Sequence, residues 1–334
     1  MTARVRHRGR LALPAGLLAL VLTGCDEQQD ALAPRSHAAK DIASLFWWMM
    51  GVAWFGLAIV VALMVVAWRK AHRRPGHEPK EGEAFAFKVV IGAGIVFPIA
   101  LIATLFVIGD IFVIGTTQAP ARGATQLTVD VIGHQWWWEV RYPGTSAVTA
   151  NEIHIPVRTP VRVQVSTADV IHSFWVPRLN RTIDTIPGKT NAIELYADAV
   201  GRYRGQCDEF CGLQHAHMSF YVFADPPAVF QRWLRDQEKP AAATRSAGAT
   251  LFAQASCANC HAIRGTSASG YVGPDLTHVA SRTTLASLTI PNDRNDLVRW
   301  ITHAQEVKPG NQMPDIRLTN AQVQTLATYL ESLR

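Results

Sequence analysis

The run Cys207-Asp-Glu-Phe-Cys211-Gly-Leu-Gln-His215-Ala-His217-Met218 brings two thiols, imidazoles and a thioether into twelve residues. Thiolate and thioether sulfur favour soft or borderline ions, and imidazole added to them suits copper in electron transfer better than a structural zinc. A further ligand is available upstream in Asp169-Val-Ile-His172-Ser-Phe-Trp175, where His172 lies just beyond the alternating Val161, Val163 and Val165 at the rim of a sheet. Two cysteines four residues apart in one loop can bridge two metal ions. A bare C-x-x-x-C in an oxidising compartment reads instead as a disulfide, and His172, His215 and Met218 are what move the reading to copper. His217 is left over and reads as a non-ligand.

A second centre follows. Cys257-Ala-Asn-Cys260-His261 is the attachment pattern of a c-type haem, in which two thiols add to the vinyl groups and the adjacent histidine binds iron. Zinc is the main rival, but a structural zinc needs four protein ligands and this region offers one cysteine pair with His278 and His303 beyond His261. The sixth iron ligand is argued by elimination. Met313 is the only methionine after Met218 and lies in the loop Pro309-Gly-Asn-Gln-Met313-Pro314; His278 and His303 are the alternatives. A thioether opposite histidine raises the reduction potential, as an electron carrier needs.

These residues need elements to position them. Of 334 residues 49% are hydrophobic, and part of the chain reads as lipid-embedded. Residues 1–24, with Arg4, Arg6, Arg8 and Arg10 before the apolar run Leu11–Leu22, form a lipoprotein-type signal peptide, with Cys25 as the residue that takes the lipid; cleavage nearby with Cys25 unmodified is the alternative. The net charge of +6 includes those four arginines, so nucleic acid is not a partner. Residues 25–41 form an outer N-terminal segment, and 42–115 two transmembrane helices, at 42–68 and 89–109, with Pro98 tolerated in the second. Arg69, Lys70, Arg73, Arg74, Lys80 and Lys88 between them place the loop in the cytoplasm. From Gln126 the period changes to short alternating strands, an all-β sandwich over 116–225. Residues 226–246 are a helix and small-residue linker, and 247–334 a separate α-helical domain ending in the amphipathic run Asn320–Leu333. In Gly133-His134-Gln135-Trp136-Trp137-Trp138-Glu139 strand alternation buries Trp137 and exposes its neighbours, or the reverse.

His172, Cys207, Glu209, Cys211, His215 and Met218 match in spacing the binuclear copper A motif, and the chain resembles cytochrome c oxidase subunit II with a fused C-terminal cytochrome c domain, the caa type. The resemblance covers nearly all the mature chain. It implies a transmembrane α-hairpin, a cupredoxin-like β-sandwich and an all-α cytochrome c domain. It further implies that Cys207 and Cys211 bridge both coppers, that His172 and His215 each ligate one, that Met218 is a weak ligand and the Glu209 carbonyl another, and that the Glu209 side chain faces a magnesium ion shared with subunit I. The matching G-H-Q-W-x-W assigns to Trp136 the point where electrons enter copper A; anchoring at the membrane interface is the competing role for these tryptophans. Gly273-Pro274-Asp275-Leu276 resembles the segment that packs near the proximal histidine.

The function so implied is electron delivery from a cytochrome c donor, soluble or membrane-bound, through haem c and copper A to subunit I, with subunit III alongside, in a bacterial inner membrane with both centres on the periplasmic side. Oxygen reduction belongs to subunit I. A nitric oxide reductase with a copper A subunit is the alternative, and a lipid-anchored copper or thiol redox protein a weaker one, since it has no use for covalent haem. A quinol oxidase lacks the copper ligands. The glutamate and tryptophan that many relatives carry early in the second span are missing from Val90-Ile-Gly-Ala-Gly-Ile-Val-Phe-Pro98, with Glu81 or Glu83 as the nearest substitutes.

Overall fold

The computed structural model describes residues 29–73, 82–125, 127–242 and 245–334. The expected leader, the lipid-acceptor residue Cys25, and Arg74, Lys80 and Glu81 of the basic loop lie outside the described residues.

Two helices, α1 (His37–Arg73) and α2 (Ala84–Thr117), are long and apolar enough to cross a membrane. Both outrun the charge-free stretches at 42–68 and 89–109, because intrahelical hydrogen bonding continues past the hydrocarbon into polar flanks. Trp48, Phe55, Ile102 and Phe106 stand exposed along them, which in water would be a large unpaid area of apolar surface and in lipid is none. In α2 a π-turn at Gly92–Val96 precedes Pro98, so the proline ring and its missing amide fall in the first turn of the α-helical segment Phe97–Ile108, where both are tolerated.

The start of α1 and the end of α2 meet the same β-domain. Arg35 N donates to Arg178 O at 2.8 Å and Ser36 Oγ to Leu179 O, while Arg181 Nε donates to Thr117 Oγ1 at 3.1 Å. Arg73 of α1 and Ala84 of α2 therefore lie at the ends of their helices away from the sandwich.

The β-domain comprises β1 (Thr128–His134), β2 (Trp137–Arg141), β3 (Val148–Ala150), β4 (Glu152–Pro156), β5 (Val161–Thr167), β6 (His172–Trp175), β7 (Ile183–Thr185), β8 (Asn191–Leu195), β9 (Gly201–Cys207) and β10 (Ser219–Asp225). They form two five-stranded sheets, ordered β3-β2-β1-β5-β8 and β4-β10-β9-β6-β7. Val129 and Val131 of β1 pair with Val163 and Val165 of the parallel β5, and their inward faces meet Phe174, Phe220 and Val222 of the second sheet. The alternation read from the sequence is the burial pattern observed, which is what a sheet covered on one face requires.

The three tryptophans do not lie on one strand. Gln135 and Trp136 form the turn between β1 and β2, so Trp138 is fully buried against Phe174 and Phe220 while Trp136 and Trp137 are both half-buried. Strict alternation across the run fails because a turn resets the pleat. Trp137 stacks on His134 at 4.3 Å.

Helix α3 (Pro227–Glu238) leads to the C-terminal domain, in which α4 (Ala247–Gln254), β11 (Thr284–Leu285), β12 (Ile290–Pro291), α5 (Arg294–Thr302), α6 (Ala304–Val307) and α7 (Asn320–Glu331) surround Phe252, Ile263, Leu297, Ile301, Leu326 and Leu330. Each long helix here is started by a side-chain cap: Ser246 for α4, Asp293 for α5 and the Thr319/Gln322 capping box for α7. Gly248 lets α4 press on α7, since a β-carbon there would lie 2.9 Å from the Thr325 carbonyl.

Candidate metal and haem centres

The first centre sits where β6, the end of β9 and the following loop meet. Phe174 pairs with Cys207 across β6 and β9, which brings His172, two residues back, to the same rim. Gly133 on β1 makes room for the imidazole: a β-carbon there would come within 2.7 Å of the ring. The Cys207 and Cys211 sulfurs are 3.7 Å apart and are separate thiols. Around them lie His172 Nδ1, 3.9 Å from Cys207 Sγ; His215 Nδ1, 3.7 Å from Cys211 Sγ; Met218 Sδ, 3.8 Å from Cys211 Sγ; and the Glu209 carbonyl, 3.2 Å from Cys207 Sγ. The six residues singled out by spacing are thus brought together. Cys207, Cys211, His172 and Met218 are buried, whereas the Glu209 side chain is exposed. His217 is exposed, with Nδ1 2.7 Å from Gln214 Oε1.

The donor set fits soft metal rather than a disulfide or zinc. Two sulfurs each have their own nearby imidazole, and a third sulfur and a carbonyl flank the pair, an arrangement suited to two ions sharing two thiolates. The pair gives up one proton readily and holds the second. The Cys211 thiol hydrogen-bonding to Cys207, with His172 beside it, brings the Cys207 pKa down to about 4 against the pull of burial, and the same contact pushes Cys211 up. Asp169 orients His172, its Oδ1 2.8 Å from Nε2; burial acts to raise the Asp169 carboxyl, and the His172 and Gln135 hydrogen bonds more than offset it.

The second centre is a cavity of about 380 Å³ lined by Cys257, Cys260, His261 and Met313, with Leu297, Ile301, Leu326 and Leu330 also in its wall. His261 Nδ1 lies 2.8 Å from the Pro274 carbonyl, so that nitrogen carries the proton and Nε2 is left as the lone-pair donor. Burial pushes the imidazole pKa down, which keeps it neutral and able to bind iron. Gly273 lies flat against the ring, where a β-carbon would collide with it. Arg282, buried and lining the same cavity, leaves its Nε without a partner. A largely apolar cavity whose lining includes a histidine, a thioether, two thiols and a buried cation fits haem c with its propionates. His278 and His303 line no part of this cavity; His278 Nε2 lies 2.9 Å from Lys239 O, and His303 Nδ1 2.7 Å from Thr302 Oγ1.

Gln135, Trp136, Trp137 and Asn151 of the β-domain complete the haem cavity. Trp136 Nε1 donates to the Cys211 carbonyl at 3.0 Å, and Gln135 Nε2 to the same oxygen at 2.7 Å. One indole therefore touches both centres.

Residues 145–224 match the family described as cytochrome C oxidase subunit II, periplasmic domain, and residues 246–334 match cytochrome c. The cytochrome c oxidase subunit 2 of Alkalihalophilus pseudofirmus is 32% identical over 96% of this chain and 96% of that one. The chain belongs to the cytochrome c oxidase subunit 2 family. Subunit 2 of Bacillus subtilis is 26% identical over 99% of both chains. The solved periplasmic domain of subunit II from Bradyrhizobium japonicum is 32% identical, covers 34% of this chain and 94% of its own, and superposes with a TM-score of 0.33. As a subunit 2 with its own cytochrome c domain, the chain is part of a haem-copper terminal oxidase, and its two domains imply copper A and haem c.

Some residues of this subunit 2 escape a reading by spacing. Asp169 lies three before His172 and offered a local cue, since an acid near a ligand histidine is a common way to fix its tautomer. Gln135 and Lys308 gave none, because their partners lie far along the chain; Arg282, bonded to the Asp275 carbonyl seven residues back, gave none because a single arginine carries no ligand spacing.

Proposed function

We propose that this chain accepts electrons from a cytochrome c donor, soluble or membrane-bound, at haem c and passes them through copper A to subunit I, where oxygen is reduced to water. The observation that carries this reading is Trp136, which walls the haem cavity and hydrogen-bonds the Cys211 carbonyl. Copper A and haem c would each supply a one-electron store whose ligands hardly move on redox change. His172, Cys207, Cys211, His215, Met218 and the Glu209 carbonyl would hold the two coppers; Cys257 and Cys260 would hold the haem covalently, with His261 and Met313 on its iron. The exposed Glu209 carboxyl is available to a magnesium ion at the subunit I boundary.

The protein's contribution is positional. Strands β6, β9 and β10 of one sheet anchor the copper ligands, so that little reorganisation accompanies electron gain or loss, and Trp136 places an aromatic group between the two centres. Tethering the haem domain replaces a bimolecular encounter by an intramolecular one. The domain limits follow: residues 116–225 for copper and 247–334 for haem, joined through 226–246, on the periplasmic face of a bacterial inner membrane, with a lipid on Cys25, the bilayer around 42–115, and subunits I and III as neighbours.

Electron paramagnetic resonance of the oxidised, metal-loaded protein tests the site assignment. One unpaired electron shared over two copper nuclei, lost in Cys207→Ser, is the expected result; a mononuclear signal contradicts it. Oxygen against nitric oxide consumption by the purified complex tests the substrate, with oxygen expected.

A further inference from the structure

Lys308 has no part in either ligand set, yet it is only 3% exposed and its ammonium sits between the two centres. Nζ donates to three backbone carbonyls: Trp136 O at 2.8 Å, His217 O at 2.9 Å and Ala286 O at 3.1 Å. These come from three separate segments. Trp136 is in the β1–β2 turn of the copper domain, His217 immediately precedes Met218 in the copper loop, and Ala286 belongs to the haem domain. An ammonium has three N–H groups, and all three are used.

The joint is rigid on both sides. On the haem side Lys308 starts the loop that carries Met313, and that loop is tied to itself: Gln305 Nε2 donates to Asn311 O and Met313 O at 2.8 and 2.7 Å, and Asn311 Nδ2 donates to Ala304 O at 2.9 Å. On the copper side, the Trp136 whose carbonyl is gripped sends its own Nε1 to the Cys211 carbonyl. Ser287 Oγ donates to Trp136 O at 2.8 Å and Gln214 Nε2 to Pro309 O at 2.7 Å, so the same seam is closed on either side of the lysine. A chain of hydrogen bonds thus runs from the Met313 loop through Lys308 to the backbone of the copper loop. Burying a charge is costly unless it is fully hydrogen-bonded, and burial pushes this ammonium's pKa down to about 7, so a mere packing role would be served better by methionine.

We propose that Lys308 is the positioning residue for electron transfer between the two centres, its ammonium locking the Met313 loop onto the Trp136 turn and the copper loop so that the haem domain docks in one orientation. The tether supplies proximity and Lys308 supplies register. This rests on the reading that haem c feeds copper A. Electron tunnelling falls steeply with distance, so a docking error of an ångström or so is felt mainly in this one step.

The test uses the purified oxidase complex carrying wild-type chain, K308M or K308R. A soluble photoreductant delivers one electron to haem c, and the near-infrared band of copper A reports its arrival. In K308M we expect haem and copper content unchanged, reduction of haem c by external cytochrome c unchanged, and haem-to-copper transfer slowed ~10–100-fold, with K308R faster than K308M. Hydrogen exchange should rise at amides 135–138 and 212–218 while α4 and α7 stay protected, a readout independent of turnover. Transfer in K308M at the wild-type rate overturns the proposal. So does loss of haem or copper, or an equal slowing of the donor step, since either makes Lys308 a folding residue. Failure of the wild-type chain itself to pass an electron from haem c to copper would instead sink the reading on which the proposal rests.

Discussion

Asp169 ties a copper-ligand histidine to the tryptophan turn. Its two oxygens bind the His172 ring at 2.8 Å and the Gln135 amide at 2.6 Å, so one carboxylate sets both a ligand's tautomer and the turn that carries Trp136. Asp169→Asn should weaken copper retention by about 10–100-fold, read by copper stoichiometry after dialysis against a chelator. Met313→Leu should leave haem attached through Cys257 and Cys260 but lower its midpoint potential by on the order of 0.1 V, measured by redox titration. Unchanged potential would move the sixth ligand elsewhere. At this scale the sequence was informative wherever the chemistry is local. Cys207, Cys211, His215 and Met218 lie within twelve residues, and ligand type alone limits what they can do. Lys308 and Gln135 were opaque because a lysine or glutamine acquires its role from a partner more than seventy residues away, and nothing near it in the chain marks that partner.

At the scale of elements, periodicity located the strands and spans, since burying one face of a sheet, or all faces of a lipid-spanning helix, forces the pattern. What periodicity missed was the turn inside the tryptophan run, where the chain changes direction without a glycine or proline at the corner. Strand β2 also carries Glu139, whose carboxylate lies 3.1 Å from His134 Nε2 and 2.6 Å from Arg141 Nε. Burial acts to raise its pKa, and these two partners outweigh burial and hold it below the ordinary 4.5. The carboxylate is thus favoured in the folded state; its stabilisation is fully present above 4.5 and is lost as pH falls through the lower folded value. Acid unfolding of the β-domain, followed by tryptophan fluorescence, should therefore steepen below about pH 4.5 and be shallower in Glu139→Gln. Gly248→Val should destabilise the haem domain by about 1–3 kcal/mol, because the added carbons meet α7 with no room to shift; thermal unfolding followed at the haem band checks this.

The whole molecule shows what no local pattern could: how the haem domain sits on the copper domain. Glu152 of β4 accepts from Thr283 N at 2.7 Å, Arg264 Nη1 donates to Ser146 Oγ at 3.1 Å, and Lys308 closes the seam nearest the centres. The sequence supplied the linker and both attachment motifs, but a docking face is made of scattered residues that are individually ordinary. Trp136 walls the haem cavity, so the proposed route brings electrons in through haem c. The direct test is to inject a single electron at haem c in the intact complex and follow each centre in time. Copper A should become reduced as haem c is reoxidised, before any haem of subunit I, and Trp136→Ala should slow that first step while sparing haem loading. Reduction of subunit I without prior appearance of the electron at copper A, or reduction of copper A by an external donor while haem c stays oxidised, would contradict the account.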